Sequence, residues 1–213
     1  MRLHLDENPA LWQLPPDLQA VIEQIDAADV AGDRLGTGLT DEQFHWQPDA
    51  GRRWSVAQCL EHLGTINILY SSAIAQGIAE AQAKGWARRG PAVPGFWGRR
   101  FVQSLEPPVR MRSRAPGTVR PGSQLSRPEI IRRYHEAHDR VRQLVRDASA
   151  IDANRATFPN PFFTLARVKV STGLHVIPAH DRRHLWQAEQ VTMRREFPWA
   201  PSGGSRAGSA EAP

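Results

Sequence analysis

Residues 54–84, WSVAQCLEHLGTINILYSSAIAQGIAEAQAK, decide the fold. Val56, Cys59, Leu60, Leu63, Ile66, Ile68, Leu69 and Ile74 recur at helical spacing and give the stretch a broad apolar face. Ser55 carries a hydroxyl that can cap free amides of the first turn, and Trp54 before it is placed to pack back as a staple. The reading is a helix that runs to about Lys84, a length typical of a bundle.

The chain on either side repeats the pattern. Upstream, Pro16 to Arg34 predicts a helix with Leu18, Val21, Ile22, Ile25 and Ala28 on one stripe, stopped by Gly36 and Gly38. Thr40 to Ala50 reads as a connector with one turn of helix at TDEQF. Downstream, Gly85 to Leu125 is a long connection rich in Pro, Gly and Arg, with a short helix expected within Gly95 to Leu105. Ser126, Arg127, Pro128 and Glu129 read as a capping box that opens a third long helix. That helix is striped by Ile130, Ile131, Tyr134, Ala137, Val141, Leu144 and Val145 and runs to about Ala148. Asp152 to Pro161 reads as a turn region, and a fourth helix follows from near Ser171 to about Arg195, with a kink expected at Pro178. No stretch alternates convincingly as a strand.

The fold class is therefore all-α, a four-helix bundle with a long basic crossover between its second and third helices. Residues 1–199 form one domain, and residues 200–213, mostly Gly, Ser, Ala and Pro, are expected to be a disordered tail.

The charge is +5 and carried almost wholly by arginine. Trp86 to Arg120 holds Arg88, Arg89, Arg99, Arg100, Arg110, Arg112, Arg114 and Arg120 against Glu106 alone. No recognition-helix pattern, zinc-finger spacing or aromatic stacking signature accompanies this charge, which argues against a nucleic-acid partner. No apolar run reaches the roughly eighteen residues of a membrane span, and the N-terminus lacks the pattern of a signal peptide. The expectation is a cytoplasmic protein without a membrane partner. The single Cys59 sits in an apolar stripe and reads as a small buried hydrophobe.

The chemistry lies in AHDRRHLWQAEQV, residues 179–191. His180 and His184 stand one helical turn apart, about 40° around the axis, and two imidazoles so placed can close on one metal ion. His62 in the helix of residues 54–84 is the third candidate ligand, and three histidines would leave a coordination position open, as catalytic sites require. His135 and His138, three apart, read first as hydrogen-bonded residues. His175 faces elsewhere on the helix, and Gln187, about one turn from His184, suits a hydrogen bond behind the ligands.

WSVAQCLEHL followed much later by HxxxHLxQ resembles the DinB-like superfamily, over roughly Leu11 to Pro198. The resemblance implies an up-down-down-up four-helix bundle. It implies a divalent metal, zinc or nickel, on residues matching His62, His180 and His184. It also implies, as the leading activity, S-transfer from a low-molecular-weight thiol such as mycothiol or bacillithiol, with homodimers common. On that reading Arg99, Arg100 and Arg112 of the crossover are candidates to hold a carboxylate of the thiol or of its electrophile. The alternatives are a hydrolase that uses metal-activated water and a non-enzymatic stress-related binding module.

Overall fold

The computed structural model describes residues 13–108, 117–122 and 125–199. Its described residues form six α-helices: α1 (Pro16–Thr37), α2 (Asp41–His45), α3 (Val56–Ala83), α4 (Phe96–Leu105), α5 (Arg127–Ala148) and α6 (Val170–Thr192). Two strands, β1 (Thr157–Asn160) and β2 (Phe163–Lys169), pair as an antiparallel hairpin between α5 and α6. No helix among the described residues is long and apolar enough to cross a membrane.

Local chemistry accounts for the helix ends. Ser55 caps α3 through its hydroxyl, which accepts from the Gln58 amide, while the Gln58 side chain accepts from the Ser55 amide. Thr40 and Gln43 make the same reciprocal pair at α2, in the turn expected there. Ser126 precedes α5 as expected but makes no side-chain cap. The Glu129 carboxylate that would complete that box is taken by Arg132 and Arg133 instead. Gly36 does not stop α1. It lies within the helix, where a Cβ would stand 2.6 Å from Ile131 Cδ1, so its bare backbone makes room for α5. Pro178 lies inside α6.

The fold is mostly helical, as expected, and the hairpin corrects only the expectation that no strand forms. Thr157 pairs with Lys169 and Phe158 with Val168, but the register shifts after Pro159. Phe163 and Leu165 of β2 are exposed, so little period-two patterning survives for a sequence reading to detect. What fixes the hairpin is tertiary. Phe158 is fully buried on α3 and α6, against Gly173 and close to Gly77, two glycines whose missing side chains let it approach.

α1 and α3 each pack on both α5 and α6. Gln24 meets Arg182 and Arg34 meets Glu189, so α1 and α6 run the same way. Gly36 meets Ile131 while Asp26 meets Arg142, so α1 and α5 run opposite ways. Gly64 approaches Arg133 early in α3 and α5, and Ile78 and Asp147 line one groove late in both, so these two are parallel. Parallel neighbours require the chain to return along their whole length between them. The segment from α4 onward makes that return. α4 docks on α6, and a 3-10 turn at Gly117–Val119 brings the chain back beside the start of α3.

Candidate metal centre

His62 is placed by the second turn of α3 and His180 and His184 by the middle of α6, where the two helices pack. One ring nitrogen from each of the three lies within 4.8 Å of the others. The ring centroids are 4.6 Å apart for His62 and His184, 5.3 Å for His62 and His180, and 4.5 Å for His180 and His184. His62 and His184 are buried, and His180 is half-buried, which leaves a solvent side to the group.

Hydrogen bonding fits these rings for a cation. His62 Nδ1 donates to the Val119 carbonyl at 2.8 Å, which fixes its tautomer and leaves the Nε2 lone pair free. Nδ1 of His180 and Nδ1 of His184 are buried with no hydrogen-bond partner among the described residues. Burial pulls the His62 pKa down against the Val119 hydrogen bond. Burial, with His62 and Arg183 adding to it, pushes His180 down to about 3. His184 is held well below the ordinary range by burial, His180, His62 and Arg183, against a hydrogen bond with Gln187. Near neutral pH the three imidazoles are therefore uncharged, the form in which they ligate. The donor set is three neutral nitrogens with one accessible side, which suits zinc, nickel or another borderline divalent ion.

The surroundings were only partly legible in sequence. Trp54 packs against the apolar cluster that includes Val56, Cys59 and Leu60, and it also reaches the triad. Its ring stacks on His184 at 5.6 Å and tilts over His62 at 4.8 Å, covering the triad from the chain before α3. Gln187 does lie against His184, as its spacing suggested. Arg183 was not singled out, yet its charge reaches both His180 and His184. Its position next to a ligand was the available signal. The Val119 carbonyl has none, because a backbone group in an irregular connection leaves no residue pattern.

The remaining candidates fall elsewhere. Arg99 and Arg100 lie exposed on α4, and Arg99 Nη1 donates to the Pro94 carbonyl at 3.1 Å. α4 meets α6 at Gly98 and Thr172, eight residues and about 12 Å along the axis from His180. Arg112 and the tail of residues 200–213 lie outside the described residues. His135 and His138 hydrogen-bond to aspartates, and His175 donates to the Ser171 carbonyl of its own helix. Cys59 is buried among apolar side chains, and that burial pushes its thiol pKa up, so it is no nucleophile.

Residues 24–188 match the sequence model of the DinB superfamily. No curated protein and no solved structure matches the chain.

Proposed function

This chain belongs to the DinB superfamily, and on that premise we propose that it is a divalent-metal-dependent enzyme, a low-molecular-weight-thiol S-transferase. The helix directions and pairings support an up-down-down-up four-helix bundle as its frame. The observation that carries the reading is the meeting of three uncharged imidazoles, His62, His180 and His184, with His180 half-buried between two buried partners. His62, His180 and His184 would hold zinc or nickel, which would supply Lewis acidity favouring the ionised form of a thiol at neutral pH.

The chain's own residues do the rest. The Val119 carbonyl orients His62 and Trp54 shields the buried side of the triad from water. The half-buried face of His180 is where a thiol and its electrophile enter. The Arg183 guanidinium beside His184 favours negative charge there and suits an acidic thiol. A hydrolase reading is less well supported, because it needs a carboxylate free to take a proton from water. Asp181 is engaged by Asn67 and faces His138, and Glu61 accepts from the Gly122 amide.

Elemental analysis of purified protein tests the premise. We expect about one zinc or nickel per chain, lost in a His180→Ala, His184→Ala double variant that keeps its helical circular dichroism. Consumption of a generic electrophile that requires added thiol and disappears in His184→Ala supports transfer. Equal consumption without thiol selects the hydrolase. In the same assay, a KM for an acidic thiol raised by Arg99→Gln, Arg100→Gln assigns those two residues to cofactor binding, and an unchanged KM removes them. No metal in the purified protein, even after incubation with zinc or nickel, refutes the proposal.

A further inference from the structure

The core contains a layer of polar side chains that the proposed chemistry does not use. Each long helix contributes one residue: Asp29 from α1, Asn67 from α3, His138 from α5 and Asp181 from α6. Asn67 Nδ2 donates to Asp181 Oδ1 at 2.9 Å. His138 Nε2 stands 3.4 Å from Asp181 Oδ2, and His138 Nδ1 stands 2.6 Å from Asp29 Oδ1. Arg142 closes the chain by binding Asp29 from the outside. Asn67, His138 and Asp181 are all 0% exposed.

This layer lies beside the triad. Asp181 directly follows His180 and is three residues before His184, and Asn67 is five residues after His62. The Asn67–Asp181 hydrogen bond is thus a polar tie between the two ligand-bearing helices, made within about a turn and a half of the ligands on each. Apolar side chains hold helices together but tolerate sliding, whereas a buried hydrogen bond is lost over a displacement of about 1.5 Å, one residue of rise. His138, held by Asp29 through Nδ1, faces the other carboxylate oxygen of Asp181 as an ionic contact. Fixing register is the best-attested use of buried polar groups.

We propose that Asn67 and Asp181, backed by His138 and Asp29, are positioning residues that set the axial register of α3 against α6 and so bring His62 within ligating distance of His180 and His184. The inference rests on the metal-site reading and adds to it the residues that assemble the site.

The test is metal binding by chelator-stripped protein, with Co2+ alone as the spectroscopic probe and Zn2+ affinity measured against a chromophoric chelator. Asp181→Leu and Asn67→Leu should each weaken both ions by about 10- to 100-fold, the range found for supporting partners of metal ligands, and should alter the cobalt absorption. The swap Asn67→Asp, Asp181→Asn rebuilds the tie with donor and acceptor exchanged. It should recover most of the lost affinity and the original cobalt spectrum. A purely stabilising role would lower the melting temperature and leave the cobalt spectrum and affinity untouched. Should one single variant fail to fold, the other and the swap still decide the matter. Wild-type affinity and spectrum in the single variants, or a swap no better than those single variants, overturns the inference alone. A wild-type protein that binds neither ion removes the proposed function and this inference together.

Discussion

Between pH 6.5 and 9 the stability that His138 gives the metal-free protein should fall by about 3 kcal/mol, read as the difference between wild type and His138→Gln. His138 is fully buried, and burial alone would drive its proton off, but Asp181 and Asp29 on either side outweigh this and push its pKa up to about 9. An unfolded chain binds that proton with a pKa of 6.5. The difference is about 2.5, and at 1.36 kcal/mol for each pH decade it comes to about 3 kcal/mol. The sign follows from which state holds the proton. Below pH 6.5 both states carry it and the stabilisation is complete. As pH rises through the window, the unfolded chain gives up a proton that the native state keeps. Above about 9 the native state loses it too, and the contribution is gone. The groups facing His138 are Asp29 on α1, Asp181 on α6 and Tyr134 on its own helix, and Arg142 and His135 share the Asp29 carboxylate with it. Burial opposes ionisation of Asp29, but His138 and Arg142 hold its pKa below the usual value, so it acts only at acid pH. Cys59, pushed up by burial, acts only toward pH 9 and beyond. The assay is urea unfolding at constant ionic strength, in chelator, at half-unit steps from pH 6 to 9.5. A domain of this size has about 5–15 kcal/mol in all, so the slope is large enough to measure. His138→Gln should be less stable at every pH below 8, with a deficit that shrinks steadily across the window, while His62, His175, His180 and His184, held neutral by burial, make both curves rise alike near pH 6.5. A difference between wild type and variant that stays constant or grows between pH 6.5 and 9 would refute the reasoning.

Three shorter predictions test the packing around the site. Gly173→Ala places a Cβ 2.7 Å from Phe158 Cε1 and 2.8 Å from Ile74 Cδ1, and this overpacking should cost about 1–3 kcal/mol by thermal denaturation. An unchanged melting temperature would mean that Phe158 does not seat on α6. Ser55→Ala should cost about 1 kcal/mol, because it removes a working cap, whereas Ser126→Ala should cost almost nothing, because that hydroxyl makes no cap. Equal effects in chemical denaturation would count against the assigned helix starts. Cys59 should resist thiol reagents in the native protein and react once urea unfolds it, and rapid labelling of the native state would contradict its burial.

The sequence spoke clearly where local physics decides and was silent where topology decides. α3, α5 and α6 begin within a residue or so of the positions that Ser55, Ser126 and Ser171 announce, since caps and apolar stripes act within a few residues. His180 and His184 were legible as a pair for the same reason. His62 was legible as a third helix-borne histidine, and the resemblance to a family named the same three, but nothing local says that the second turn of α3 meets the middle of α6. The hairpin escaped notice because its one deeply buried side chain, Phe158, belongs to a four-residue strand beside a register shift. Asn67, Asp29 and Val119 are ordinary residues in sequence, and their roles exist only once four helices and a returning crossover bring them together.

The polar layer also explains how the apolar core is divided. One apolar cluster holds Leu18, Val21 and Ile25 of α1, Ile74 and Ile78 of α3, Val141 and Val145 of α5, and Leu174 and Ile177 of α6. A second holds Ala28 and Leu35, Leu60 and Leu63, Ile130 and Tyr134, and Leu185 and Val191 of the same four helices. Asn67, His138 and Asp181 fall between the two clusters on their helices, with Asp29 at the edge of the second. A buried ion pair gains little net stability after desolvation, and apolar residues of similar volume at this level would often serve stability as well or better. Stability alone therefore does not account for three fully buried polar side chains in the middle of an otherwise apolar core. Their placement does make sense if the two apolar halves must meet in a single register, because a uniform apolar interface would let α6 slip against α3 at small cost. The place where such a slip would do the most harm is the level at which His62 meets His180 and His184, and the polar layer lies directly beside it.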